Sequence, residues 1–392
     1  MSDELQAILK AWGSGEQAEP SVLATVVEVH GSAYRRPGAR MLIHADGSRI
    51  GTISGGCLEG DVVKKAAWWT AGGRPVLRTY DTSSEEAAWE FGLGCNGVIS
   101  VLVERFSSAS VEEMLAFIEE HQDGRKGCVI ATVIRTQPGT IWSVGDRLLW
   151  SASGLRGGSL LGTGLETDLV AEVRSAASEA RSRVVRLPAA DVFVEWVAPP
   201  QRLVIFGAGH DVMPLVSFAA EMGWRITVAD GRPAYARACR FPGAEQVATI
   251  PPSSDISGIP IDSSCAVVMM THNYPQDRKL LPQILARTPR YLGMLGPRSR
   301  TESLFAEIGD DLLRRDPYSP VGLDLGSDRP ESVALSIVAE IQAVLSGRTG
   351  GSLKWRRGPI HHSMQVSGDS RHARHEEQVT LTACETMAVA DA

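Results

Sequence analysis

The sequence predicts an α/β fold: a mixed α/β domain over residues 1–198, a Rossmann-like parallel-sheet domain over 199–347, and a polar tail, 348–392, without structure of its own. Three observations lead there. Residues 202–230 read as strand, tight turn, helix and strand in one continuous run. Ahead of them, short apolar runs alternate with Gly-rich turns and helical stretches, the pattern of strands and helices layered in one domain. Pro199-Pro200 stands between the two parts as a short, stiff linker.

In chain order, residues 4–12 form a helix and 22–29 a strand. Ala33-Tyr-Arg-Arg-Pro-Gly-Ala-Arg40 then sets three arginines beside a Pro-Gly turn. A strand at 41–44 runs into Asp46-Gly47, a hairpin signal. The next stretch, Gly51-Thr-Ile-Ser-Gly-Gly-Cys-Leu-Glu-Gly-Asp61, is the first to suggest chemistry. Gly55 and Gly56 lie between a short strand and a helix over about 58–70, so backbone N–H groups there can converge on an anion. Cys57 stands near the N-terminus of that helix, where the dipole favours a thiolate. The plainer alternative is a small cysteine buried in a glycine-rich connection.

After a strand at 76–80, Phe91-Gly-Leu-Gly-Cys-Asn-Gly-Val98 frames a second cysteine, Cys95, with glycines, and a strand at 98–104 follows. Two such cysteines at strand ends are what a thiol-lined or soft-metal site requires. Cys128 opens the apolar run 129–135 and is expected in the core. Residues 111–121 and 169–183 read as helices, 141–144 as a strand, 154–164 as a loop, and 192–197 as the strand that closes the domain.

In the second domain, Leu203-Val-Ile-Phe206 is a strand buried on both faces, and Gly207-Ala-Gly209 with His210 begins a dinucleotide-type turn. Val212, Leu215, Val216, Ala219 and Ala220 line one face of the helix that follows, which Gly223 ends. Asp230 closes the next strand at roughly the 20-residue distance expected of a carboxylate that takes a ribose hydroxyl, with Arg232 just beyond it. The third glycine of the fingerprint is replaced by Val212, which supports the fold more than it supports NAD binding. A strand at 265–271 ends at His272-Asn-Tyr-Pro-Gln-Asp277, at the edge where doubly wound sheets bind ligands. Tyr291-Leu-Gly-Met-Leu-Gly-Pro-Arg-Ser-Arg300 repeats the strand-to-glycine-turn layout with Gly296 and Arg298, and Gly322-Leu-Asp-Leu-Gly326 does so again before a helix at 331–345.

Composition narrows the function classes. With 392 residues, 43% hydrophobic and 22% charged, the chain reads as a soluble globular protein of two or three domains. A net charge of −7 argues against nucleic acid or an anionic membrane as a general partner. No apolar run reaches the ~20 residues of a membrane span, and Met1-Ser-Asp-Glu-Leu5 lacks a basic stretch followed by an apolar one, so a cytoplasmic location is expected. The six cysteines, at 57, 95, 128, 239, 265 and 384, form neither a Cys-x-x-Cys pair nor a disulfide framework.

Taken together, Gly51-Thr-Ile-Ser-Gly-Gly-Cys-Leu-Glu59, Gly94-Cys-Asn-Gly97, Phe206-Gly-Ala-Gly-His210, Asp230 with Arg232, His272-Asn with Asp277, Gly293-Met-Leu-Gly-Pro-Arg298, and Gly322-Leu-Asp-Leu-Gly326 with Pro330-Glu331 and Ala339-Glu340 occur in an order that resembles the XdhC/CoxI family. The resemblance runs from about Val22 to Leu345. These proteins are maturation factors of xanthine dehydrogenase and carbon monoxide dehydrogenase. What it implies is a chaperone, not an enzyme with turnover of its own, that binds the molybdenum cofactor as molybdopterin or its cytosine dinucleotide. It further implies presentation of that cofactor to a cysteine desulfurase for sulfuration and delivery to an apo molybdenum hydroxylase. On this reading Gly55, Gly56, Gly207 and Gly209 meet phosphate, Asp230 a ribose, and Cys57 or Cys95 the molybdenum. Glu59, His210, Arg232, His272, Gly296 and Arg298 complete the expected cofactor-binding set. Two other classes stay open: an NAD(P)-dependent oxidoreductase and a nucleotide-sensing regulator, either built on the Rossmann unit. A homodimer is expected, since crossed protomers would let two distant glycine turns share one ligand.

Overall fold

The computed structural model describes residues 3–15, 20–82, 97–122, 126–251, 253–309, 316–326, 328–357, 360 and 366–367. It divides into two compact units, one built on Ala7–Pro199 and the other on Pro200–Ile360.

The chain opens with α1 (Asp3–Ser14). In the first unit, β1 (Val22–Gly31), β2 (Arg40–Ile43) and β3 (Arg49–Gly51) precede α2 (Glu59–Trp69), and β4 (Val76–Asp81) and β5 (Gly97–Arg105) complete a five-stranded antiparallel sheet of order β3-β2-β1-β5-β4. After α3 (Ala109–Gln122), a second antiparallel sheet runs β9-β10-β6-β7-β8. Its strands are β6 (Cys128–Thr136), β7 (Arg147–Ser151), β8 (Gly154–Gly157), β9 (Arg183–Arg186) and β10 (Ala190–Val197), with α4 (Leu165–Glu179) inserted after β8.

The two sheets stack because each strand alternates. Val22, Ala24 and Val26 of β1 face Leu58, Val62 and Ala66 on the α2 side, whereas Val27 and Leu102 meet Ile134, Val184 and Phe193 of the second sheet. A bulge between Val26 and Glu28 breaks the alternation, since an extra residue re-aims the side chains after it. Glu28 consequently shares the inter-sheet face with Val27, while Val29 returns to the α2 side. Ion pairs cross this layer, among them Arg40–Glu195, Arg147–Glu104, and Glu28 with both Arg135 and Arg186.

The second unit is a five-stranded parallel sheet, order β13-β12-β11-β14-β15, made by β11 (Arg202–Phe206), β12 (Arg225–Asp230), β13 (Gln246–Thr249), β14 (Ala266–Met269) and β15 (Tyr291–Met294). The connecting helices are α5 (Val212–Glu221), α6 (Tyr274–Ala286), α7 (Arg298–Ile308) and α8 (Pro330–Leu345). Leu203 and Ile205 pack under α5 and α8, and Val204 and Phe206 under α6 and α7, which is why β11 reads as an unbroken apolar run. Val212, in the place of the third glycine, is fully buried in that first layer.

Several expectations are corrected. Residues 141–144 are not a strand; the chain there turns into β7, whose pairing with β6 begins at Arg147. The 154–164 loop holds β8, and the helix expected at 169–183 runs from Leu165 to Glu179 and leaves Arg183 to begin β9. Residues 322–326 form no strand, since the isolated bridge to Gly293 comes from Tyr318. Within 348–392, expected to lack structure, Leu353–Trp355 is a turn of 3-10 helix, and β16 (Val366–Ser367) adds a parallel edge strand beside β9.

Candidate functional site

In the first unit the glycine-cysteine turn is held from within. Glu59, the first residue of α2, points back into the turn and is fully buried. Its carboxylate accepts the amides of Ile53 (3.1 Å) and Ser54 (2.7 Å) as well as the Ser54 hydroxyl. Burial alone would raise the Glu59 pKa, but the Ser54 hydroxyl and the surrounding amides outweigh it and hold the carboxyl below the usual range. Ser54 Oγ in turn accepts the amides of Leu58 (3.1 Å) and Gly56 (3.3 Å) and lies 3.4 Å from the Cys57 sulfur, which donates to it. Gly56 has φ +110°, a conformation that a side chain resists.

Cys57 is therefore half-buried, packed beside the α2-side core and oriented by a hydroxyl. Gly55 and Gly56 are exposed, but the Gly56 amide is already engaged by Ser54. Glu59, expected to meet cofactor, instead shapes the turn that carries the thiol. Cys128 is buried in β6, and burial, with Glu195 adding to it and Arg40 opposing, pushes its thiol up to about 12.

In the second unit, β11 and β14 are neighbours whose connections leave in opposite directions, so a crevice opens at their C-terminal ends. Gly207-Ala-Gly209 forms one wall and Thr271-His272-Asn273 the other. His272, at φ +53°, reaches across with Nε2 to Asp211 Oδ2 at 2.9 Å. Gly207 has φ +123°, and a Cβ there would lie 2.2 Å from the carbonyl oxygen of Met270. The glycine is thus required by the neighbouring strand's backbone. At Gly209, a Cβ would lie 2.3 Å from Asp211 Oδ1, so a carboxylate covers the turn at the start of α5.

Asp230 is buried at the end of β12 and accepts four hydrogen bonds. They come from the Ala208 amide (2.7 Å), the Arg232 amide (2.8 Å), Arg232 Nε (2.9 Å) and Arg232 Nη2 (2.7 Å). Burial would raise this carboxyl too, yet the Arg232 guanidinium and the two amides hold it below its ordinary value. Beyond it, the guanidinium groups of Arg232 and Arg240 lie 4.1 and 5.1 Å from the centre of the Tyr235 ring. On the opposite wall, Asp277 accepts from Thr271 and from Arg300 Nη2 (2.7 Å). His210 and Arg298 are exposed, and Gly296 has φ +123° just before α7. The carboxylates around the crevice are thus paired: Asp230 with Arg232, Asp211 with His272, and Asp277 with Arg300.

Residues 203–341 match the XdhC Rossmann domain, and residues 15–81 and 121–188 match the XdhC and CoxI family. A protein of Bacillus subtilis (strain 168), named as a probable subunit of xanthine dehydrogenase, is 34% identical over 335 residues, which cover 83% of this chain and 93% of that one. The chain belongs to the XdhC and CoxI family. A second relative, the molybdenum cofactor insertion chaperone PaoD of Escherichia coli (strain K12), is 25% identical over 88% of this chain and 90% of its own. Among solved structures, one from Bacillus halodurans described as a xanthine dehydrogenase superposes with a TM-score of 0.72 at 31% identity, covering 90% of this chain and 98% of that one.

Within this XdhC/CoxI chain, the expected site residues fall into separate groups. Gly55, Gly56, Cys57 and Glu59 share one turn; Gly207, Gly209, His210, Asp230, Arg232 and His272 line the crevice, with Gly296 and Arg298 at the end of β15. Cys95 lies outside the described residues. Among the described residues no cluster of three or more His, Cys, Asp or Glu side chains is arranged to hold a metal ion. No described helix is long and apolar enough to cross a membrane. Four residues went unnoticed in the sequence: Ser54, Asp211, Tyr235 and Arg240. A Ser-Gly-Gly-Cys run followed by Glu in the first helical turn could have signalled the first, and an acid directly after Gly-Ala-Gly-His the second. Tyr235 and Arg240 carry no local signal, because only the folded loop brings them to Arg232.

Proposed function

We propose that this chain is a maturation factor for a molybdenum hydroxylase of the xanthine dehydrogenase type, which holds the molybdenum cofactor as cargo and hands it to the apo-enzyme. The observation that carries this is the Cys57 turn: a thiol set on two exposed glycines and oriented by Ser54, itself tied to a buried Glu59. A sulfur ligand of this kind suits a soft metal centre. Family membership and the likeness to a relative named as a molybdenum cofactor insertion chaperone support the same reading. Sulfuration of the cargo by a cysteine desulfurase, a thiol contribution from Cys95, and a homodimeric state belong to this proposal.

An oxidoreductase reading fits the crevice less well. The Ala208 amide and the Asp230 carboxylate are bonded to each other, Asp211 covers Gly209, and Val212 fills the space of the third glycine. The test is to purify the protein from cells that make the cofactor and to measure molybdenum together with pterin fluorescence after oxidation. A maturation factor carries or takes up both in proportion to protein. Protein that neither retains nor accepts them, yet turns over a nicotinamide cofactor, would overturn the proposal.

A further inference from the structure

We propose that the loop after β12 reads a phosphate monoester through Arg232 and Arg240, set around Tyr235, and so prefers a ligand ending in a monoester to one whose phosphate is joined to a nucleoside through a pyrophosphate. The inference rests on the cofactor-holding reading above and specifies which end of such a ligand the second unit selects. Both usual anchors of a dinucleotide are closed here. Asp230, placed where a carboxylate would take a ribose hydroxyl, is bonded on both oxygens to Arg232 and Ala208. The glycine turn has the Ala208 amide committed to that same carboxylate, and the Asp211 carboxylate lies over Gly209, where it repels a phosphate approaching α5.

What remains is cationic. Arg232 is half-exposed and turns only Nε and Nη2 toward Asp230. Arg240 Nη1 donates to the carbonyls of Ala208 (2.7 Å) and Tyr235 (3.0 Å), which fixes its plane beside the glycine turn. Its Nη2 is enclosed and finds no hydrogen-bond partner among the described residues, an uncompensated donor that a phosphate oxygen entering the loop would satisfy. Asp230 is paired with Arg232 and the other nearby carboxylate, Asp211, with His272, so Arg240 is the cation left without a carboxylate partner among the described residues. A phosphate monoester gathers about −1.5 to −2 near neutral pH on the three free oxygens of one terminal group, whereas the pyrophosphate of a dinucleotide spreads its charge over two bridged phosphates with two free oxygens each, and guanidinium forks match the terminal group's oxygens.

The experiment titrates the full chain with four probes: molybdopterin, its cytosine dinucleotide, NADP+ (which bears a ribose monoester) and NAD+ (which does not). Molybdopterin over its dinucleotide and NADP+ over NAD+ are each expected to differ by about tenfold or more in Kd. Arg232→Gln and Arg240→Gln should each erase the preference, while Arg237→Gln, in the same loop, changes it by less than about threefold. Melting curves accompany every variant, and Arg240→Lys, which keeps the charge, should keep much of the preference if Arg240→Gln folds poorly. Equal binding within both pairs, or a preference that survives both glutamine variants, overturns the inference; uptake of both pterins would meanwhile leave the cofactor reading standing. Preference for NADP+ with neither pterin bound keeps the loop assignment and removes the cofactor reading. Binding of none of the four overturns both.

Discussion

At the scale of single residues, the two cysteines best placed in the structure should behave oppositely. Cys57→Ser keeps the hydrogen bond to Ser54 in kind and removes the sulfur, so folding should persist while transfer of cofactor to an apo-hydroxylase falls. A melting curve beside a reconstitution assay checks both halves, and undiminished transfer would count against the role given to Cys57. Cys128→Ser should instead cost about 1 to 3 kcal/mol in urea unfolding, because it puts a hydroxyl at a fully buried position of β6. Glu59→Gln removes the charge from three hydrogen bonds and should destabilise the turn by roughly 1.5 to 3 kcal/mol. The pH dependence follows with a definite sign. Glu59 and Asp230 both titrate below their ordinary range when folded, so the unfolded chain binds the proton more readily. Their contribution is present above the unfolded values, about 4, and is lost as pH falls through the folded ones. Unfolding free energy measured from pH 7 downward should stay flat for these groups and then drop below about pH 4, and Glu59→Gln should flatten part of that drop.

At the scale of elements, the glycine turn after β11 separates two kinds of glycine. Gly207→Ala would place a methyl group against the Met270 carbonyl at 2.2 Å with φ at +123°. Neither strand can yield without breaking the β11–β14 pairing, so a loss of about 3 kcal/mol or more is expected from strain and clash together. At Gly209 the obstruction is the Asp211 side chain, which can turn away. Gly209→Ala should therefore fold with a stability loss near 1 kcal/mol and release the Asp211–His272 contact. Denaturant unfolding of the two variants side by side tests the distinction; similar losses would show that the Met270 contact is not what requires Gly207. Both glycines look alike in the sequence, and the reason is plain: what each one faces, a backbone carbonyl or a mobile carboxylate, comes from residues after it in the chain.

At the scale of the molecule, the first unit holds its stacked sheets together with apolar contacts and buried charge. Arg40 and Glu195 are almost wholly enclosed, as are Arg147 and Glu104. Removing one partner, as in Glu195→Leu, strands a buried guanidinium and should cost about 3 to 5 kcal/mol, whereas Arg40→Met with Glu195→Leu should recover most of it. If the double variant is no better than the single one, the charge pair contributes more than its own desolvation, which chemical denaturation would reveal.

Much of this architecture was legible in the chain itself. The parallel unit, the strands at 22–29, 98–104 and 129–135, the helix before residue 70 and the one after Pro330 follow from periods of two and 3.6 residues and from glycines at element ends, all of which are local. So did the candidate turns around Cys57 and Gly207, because glycine spacing and a strand-helix boundary are read within a dozen residues. Only the tertiary structure decided what those turns do. Asp230, by its spacing, and Glu59, by the family resemblance, are carboxylates expected to meet a ligand, yet the fold gives each of them donors from its own chain. Arg40, one of three arginines beside a Pro-Gly turn, is matched by Glu195, far along the chain on another sheet. Partners of that kind are set by how strands stack and where a bulge re-aims a side chain, and no local pattern of residue types records it.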